Sequence, residues 1–72
     1  SKPKLSFNEK RELESLEKSI EALEAEKTEI ETALSGGNLD AGTLLEYSLK
    51  HSKVTATLDE KTNRWLELSD RS

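Results

Sequence analysis

The chain keeps an apolar residue at every third or fourth position in two stretches, first Leu13, Leu16, Ile20, Leu23, Ile30 and Leu34, then Leu44, Tyr47, Val54, Leu58, Trp65 and Leu68. A helix turns every 3.6 residues, so each set lines one side of a helix, and two such stripes of matching length zip together as a coiled coil. Ser35-Gly36-Gly37-Asn38 interrupts the pattern between them. The pattern predicts an all-α fold, a two-helix antiparallel coiled-coil hairpin.

Local signals set the expected bounds. Ser6-Phe7-Asn8-Glu9 matches a capping box, in which the serine oxygen accepts from the third helical N–H and the glutamate returns to the cap's own N–H. Helix one is therefore expected over about residues 7–34, a rod of about 42 Å at roughly 1.5 Å per residue. Gly36 and Gly37 supply left-handed backbone for a stop, and Asn38, Asp40 and Gly42 continue the turn chemistry of a loop over residues 35–43. Thr43-Leu44-Leu45-Glu46 matches a second capping box, which places helix two at about residues 44–69. Residues 1–5, polar and basic with the single proline, read as a linker remnant, and residues 6–70 as the coiled-coil domain.

Closing the loop pairs Leu34 with Leu44, Ile30 with Tyr47, Lys27 with His51, Leu23 with Val54, Ile20 with Leu58, Leu16 with Lys61 and Leu13 with Trp65. Lys27 and His51 then form a polar layer that fixes alignment at some cost in stability. Leu5 and Phe7 are expected to thicken the core around Trp65, because a two-helix seam alone is thin. Leu45, Leu49 and Leu66 lie off the stripe, for local packing, a partner or a second copy of the hairpin.

Composition narrows the function. Only 32% of the 72 residues are apolar and 36% are charged, which limits the chain to one small domain with a linear core. A seam encloses no pocket that excludes water, so the expectation is a module that touches something rather than an enzyme, with no catalytic residue. His51, near Ser48 and Ser52, lacks the oriented carboxylate and oxyanion site of a triad. Glu24 and Glu26 across the seam leave an incomplete ligand set for it, so no metal is expected. Gly36-Gly37 lacks the lysine and hydroxyl of a phosphate loop, and no cofactor is expected in this fragment. The absence of cysteine suits a reducing cytoplasm. No apolar run approaches the roughly 18 to 20 residues of a membrane span, and no signal segment is visible, so a cytoplasmic chain without a membrane partner is expected. Lacking methionine and opening Ser1-Lys2-Pro3-Lys4, it reads as a piece of a longer protein.

Charge is uneven. Residues 1–11 carry Lys2, Lys4, Lys10 and Arg11 against Glu9, whereas residues 12–34 carry eight glutamates against Lys18 and Lys27. A hairpin brings its ends together, so Lys61, Arg64 and Arg71 join the first group in a basic cluster at the open end, a candidate nucleic-acid-binding site. The net charge of −4 opposes tight binding by this piece alone, because counterion release needs several phosphate contacts. Ion pairs along one helix, such as Glu14 with Lys18, are the plainer use of these charges.

Three segments resemble a known family: Lys4-Leu5-Ser6-Phe7-Asn8-Glu9-Lys10-Arg11-Glu12-Leu13, Ile20-Glu21-Ala22-Leu23-Glu24-Ala25-Glu26 and Arg64-Trp65-Leu66-Glu67-Leu68. Together they look like the C-terminal domain of ABC-F ATPases of the Uup type, along nearly the whole chain. The opening and the Arg-Trp-x-x-Leu close are the specific parts, since many coiled coils share the glutamate and leucine repeat. The resemblance implies a coiled coil joined by a charged linker to the second of two ATP-binding cassettes. Those cassettes would carry ATP and Mg and be a partner within the same chain. It further implies an ATP-driven factor without membrane spans that works on the ribosome, with this tail binding DNA or structured nucleic acid. Lys4, Arg11 and Arg64 match basic positions of the family pattern. His51 stands where that pattern favours leucine, and the tip is a short glycine-bearing loop where proline and aspartate are common. The resulting expectation is an accessory domain that docks its parent on DNA or ribosomal RNA. A protein-interaction or dimerisation coiled coil without nucleic-acid binding is the alternative, and an intramolecular spacer a third.

Overall fold

The computed structural model describes residues 4–71 as two α-helices, α1 over Phe7–Ser35 and α2 over Ala41–Ser69, packed side by side along their lengths. The hairpin measures 52 × 15 × 15 Å, so no side chain lies far from the surface. This is the all-α antiparallel hairpin that the two stripes predict. No helix is long and apolar enough to cross a membrane among the described residues.

Capping starts both helices, in one case where the sequence points and in the other three residues earlier. At α1 the Glu9 N–H donates to the Ser6 hydroxyl oxygen at 3.2 Å and the Ser6 N–H donates to Glu9 Oε1 at 3.0 Å, a complete capping box. At α2 the cap is Asp40, whose carboxylate accepts from the Thr43 N–H at 2.7 Å. The expected start near Leu44 under a Thr43 cap is thereby corrected to Ala41. Aspartate is the stronger cap, and once it is used Thr43 belongs to the first turn. Glu46, freed from the second capping box, pairs with Lys50 at 3.5 Å. Between the helices only Gly37 takes positive φ, at 70°, a conformation that costs a side chain about 1 kcal/mol or more. Gly36 remains right-handed and donates back to the Thr32 and Ala33 carbonyls.

The core has two parts. At the open end Leu5, Leu16 and Leu68 form a buried cluster against which Leu13 and Trp65 pack, and Leu68 is 0% exposed. Toward the loop the buried members are Ile30 and Val54, with Leu23, Tyr47 and Leu58 half-buried beside the seam.

Two apolar assignments change. Phe7, expected in the core, is 73% exposed because the first helical position lies on the outer side. Leu5 is buried beside Trp65 as expected, because the residue before the cap turns back over the helix ends, so it belongs with the domain rather than with the linker. Leu44, expected opposite Leu34, is exposed, since the earlier start leaves Thr43 and Tyr47 as the half-buried residues of that stretch.

Candidate nucleic-acid interface

The open end carries most of the cross-helix charge chemistry. Arg64, half-buried beside Trp65, directs Nε to Glu12 Oε2 at 2.7 Å and Nη2 to Glu12 Oε1 at 3.0 Å, a two-point grip. Its Nη1 reaches Glu67 at 3.1 Å. The Glu12 carboxylate raises the guanidinium's pKa, and the same hydrogen bonds hold the Glu12 carboxyl below its ordinary range against the opposing effect of desolvation. Arg71 donates to Glu9 at 2.9 Å. Glu9 is also held low, first by the backbone N–H of Ser6 and then by Arg71. Two arginines assigned to nucleic acid are thus engaged with glutamates of α1, and they lock the two helices in register.

The other assigned cations differ in setting. Lys4, Lys10 and Arg11 are exposed and make no ion pair among the described residues. Arg11 stands over the Phe7 ring, 5.9 Å from its centroid, which gives that exposed aromatic a partner. Lys4 and Lys10 line an open cleft together with Arg71, over a floor of Leu5 and Leu13. Lys61 is half-buried one turn before Arg64. Lys2 lies outside the described residues.

Away from this end the surface changes sign. Glu14, Glu17, Glu21 and Glu24 are exposed at helical spacing along α1, and the Glu14–Lys18 pair that the spacing allows does not form. These four glutamates give α1 an acidic face that disfavours an approaching anion. In the expected polar layer His51 Nε2 meets Glu31 Oε2 at 2.9 Å rather than Lys27. A carboxylate both accepts from and attracts an imidazole, whereas a lysine offers only donors. No group of three or more histidines, aspartates or glutamates is placed to hold a metal among the described residues.

The glutamate–arginine pairs were not foreseen, although their signal is simple: Glu12 and Arg64 each precede a member of the Leu13–Trp65 layer by one residue. They also set an acid response. Glu9 and Glu12 bind protons more weakly in the fold than unfolded, so their contribution is complete above an ordinary glutamate pKa of 4.5 and is lost as pH falls through the lower folded values. Glu12→Gln is accordingly expected to melt below the parent chain at neutral pH, with the gap closing as the pH falls below the ordinary glutamate value of 4.5. Thermal melts of both chains read by circular dichroism from neutral to acid pH check this, and a constant gap refutes it.

A slender helical hairpin, latched by ion pairs at its open end, defines the class of a two-helix coiled-coil domain. Residues 4–70 match the family described as the ABC transporter C-terminal domain, and the chain belongs to that family. Comparison with curated proteins and with solved structures gives no match.

Proposed function

We propose that this C-terminal domain is the non-catalytic accessory module of an ABC-F-type ATPase of the cytoplasm, and that it docks its parent onto nucleic acid, DNA or ribosomal RNA. Lys4, Lys10 and Arg11 make the phosphate contacts, with Lys2 and Lys61 at the margins. ATP and Mg belong to the cassettes of the parent. The observation that carries this reading is the cleft where Lys4 and Lys10, unpaired, converge beside Arg71. Arg71 keeps its pair with Glu9, and Arg64 has donors committed to Glu12 and Glu67. The acidic face of α1 supports an end-on approach, because a nucleic acid laid along the rod meets four exposed glutamates in succession.

Titrating labelled duplex DNA and structured RNA tests the reading. With three phosphate contacts, affinity is expected to fall about 40-fold between about 50 and 200 mM salt. The Lys4→Ala/Lys10→Ala/Arg11→Ala variant is expected to abolish binding with no change in helix content, since none of the three side chains holds the seam. No binding at the lower salt, or binding indifferent to salt and to the substitutions, overturns the proposal.

A further inference from the structure

The outer side of α2 carries a second, weaker stripe that the hairpin does not use. Leu45, Leu49, Ser52, Ala56, Asp59, Asn63 and Leu66 follow one another at coiled-coil spacing on the side opposite the seam, and all are exposed. The three leucines are 62%, 64% and 53% exposed. Leucine at both ends and alanine in the middle is a pattern that suits an antiparallel copy of itself: a two-fold axis near Ala56 brings Leu45 of one helix against Leu66 of the other, with Leu49 beside Asn63. The small side chain at the crossing then lets the backbones approach.

Charge on the flank of this stripe selects the same partner. Lys53 and Glu60 lie on one flank, on opposite sides of Ala56, and neither makes an ion pair within the hairpin among the described residues. Turning a second copy about the axis sets Lys53 beside the other copy's Glu60, and by symmetry Glu60 beside Lys53. In the same arrangement Glu46 and Glu67 come opposite each other. Each is already compensated on its own helix, Glu46 by Lys50 and Glu67 by Arg64. Asp59, a polar member of the stripe itself, meets Ser52, a hydroxyl that donates to a carboxylate.

We infer that this chain self-associates through the outer face of α2, as an antiparallel two-fold dimer centred near Ala56, with Lys53–Glu60 pairs on one flank and leucines at both ends. The seam stays outside the contact. Three leucines per copy make a small interface, so the dissociation constant is expected on the order of 100 µM.

Sedimentation equilibrium of the chain from about 10 µM to 1 mM is expected to show a monomer–dimer equilibrium. Lys53→Glu is expected to weaken it about tenfold by opposing like charges, and Lys53→Glu/Glu60→Lys to restore it. Because the chain has no cysteine, Ala56→Cys gives one thiol at the axis. With oxidised glutathione as oxidant, it is expected to form disulfide-linked dimers much faster than Ser15→Cys, on the outer face of α1. These positions are exposed, and unchanged helical circular dichroism confirms that the variants fold. A chain that stays monomeric at 1 mM overturns the inference and leaves the stripe to a different protein. So does a dimer indifferent to Lys53→Glu, one that the double variant fails to restore, or one that does not cross-link at residue 56.

Discussion

Leu68→Ala is expected to remove about 3 kcal/mol of stability, the largest single loss available in this hairpin. Leu68 is 0% exposed and belongs to the buried cluster with Leu5 and Leu16. Truncation forfeits the transfer energy of its branched end and leaves a void that two rigid helices close poorly. A domain of this size has roughly 4 kcal/mol or somewhat more to lose, so the variant is expected to sit close to its unfolding midpoint at room temperature. Urea titration followed by circular dichroism measures this. A loss below about 1 kcal/mol, the range of surface substitutions and mild repacking, refutes the role assigned to the cluster.

Leu5→Ala is expected to cost about 2 kcal/mol, a large effect for a residue outside both helices. The same substitution at Phe7, larger and aromatic but 73% exposed, is expected to cost far less. The contrast decides whether the residue before the Ser6 cap is core or tether. For a domain of this size a loss of 2 kcal/mol lowers the melting temperature by about 8 to 16 °C, readily separated from Phe7→Ala in parallel melts. Equal effects at the two positions contradict the observed placement. If Leu5 acts only as a tether, its substitution leaves the melt unchanged.

These two residues also show what the sequence makes legible. Periodicity identifies Leu13, Leu16, Ile30, Val54 and Leu68 as seam positions without ambiguity, because only one face of a helix repeats at their spacing. The capping box at Ser6 is equally plain, since both of its side chains are present. Periodicity is silent before the first turn, where Leu5 and Phe7 are two apolar residues on either side of a cap, and backbone direction alone decides which turns inward. The start of α2 is ambiguous for a related reason. Asn38, Asp40 and Thr43 are all competent caps, and the choice among them rests on how the chain leaves Gly37.

At the open end composition reveals cations but not their partners. Arg64 and Arg71 read as available charge in the sequence, and three-dimensional register spends them on Glu12 and Glu9. Lys4, Lys10 and Arg11 stay exposed because no carboxylate faces them across the seam. The exposed leucines of α2 are visible as off-stripe residues from the sequence. Their alignment into one stripe follows only when the outer side of the helix is traced.

Both ends of the described chain lie at one end of the rod, and this gives the domain a mechanical character. A pull that separates Leu5 from Leu68 does not stretch either helix; it peels one from the other, loading the layers in sequence from the root toward Gly37. The first barrier to peeling is the clasp of Leu5, Leu16 and Leu68 with the Glu9–Arg71 and Glu12–Arg64 pairs, and the layers beyond it are thinner. A push along the rod instead loads two paired helices in parallel, each 29 residues long. The hairpin is thus a strut under compression and a zipper under tension between its ends.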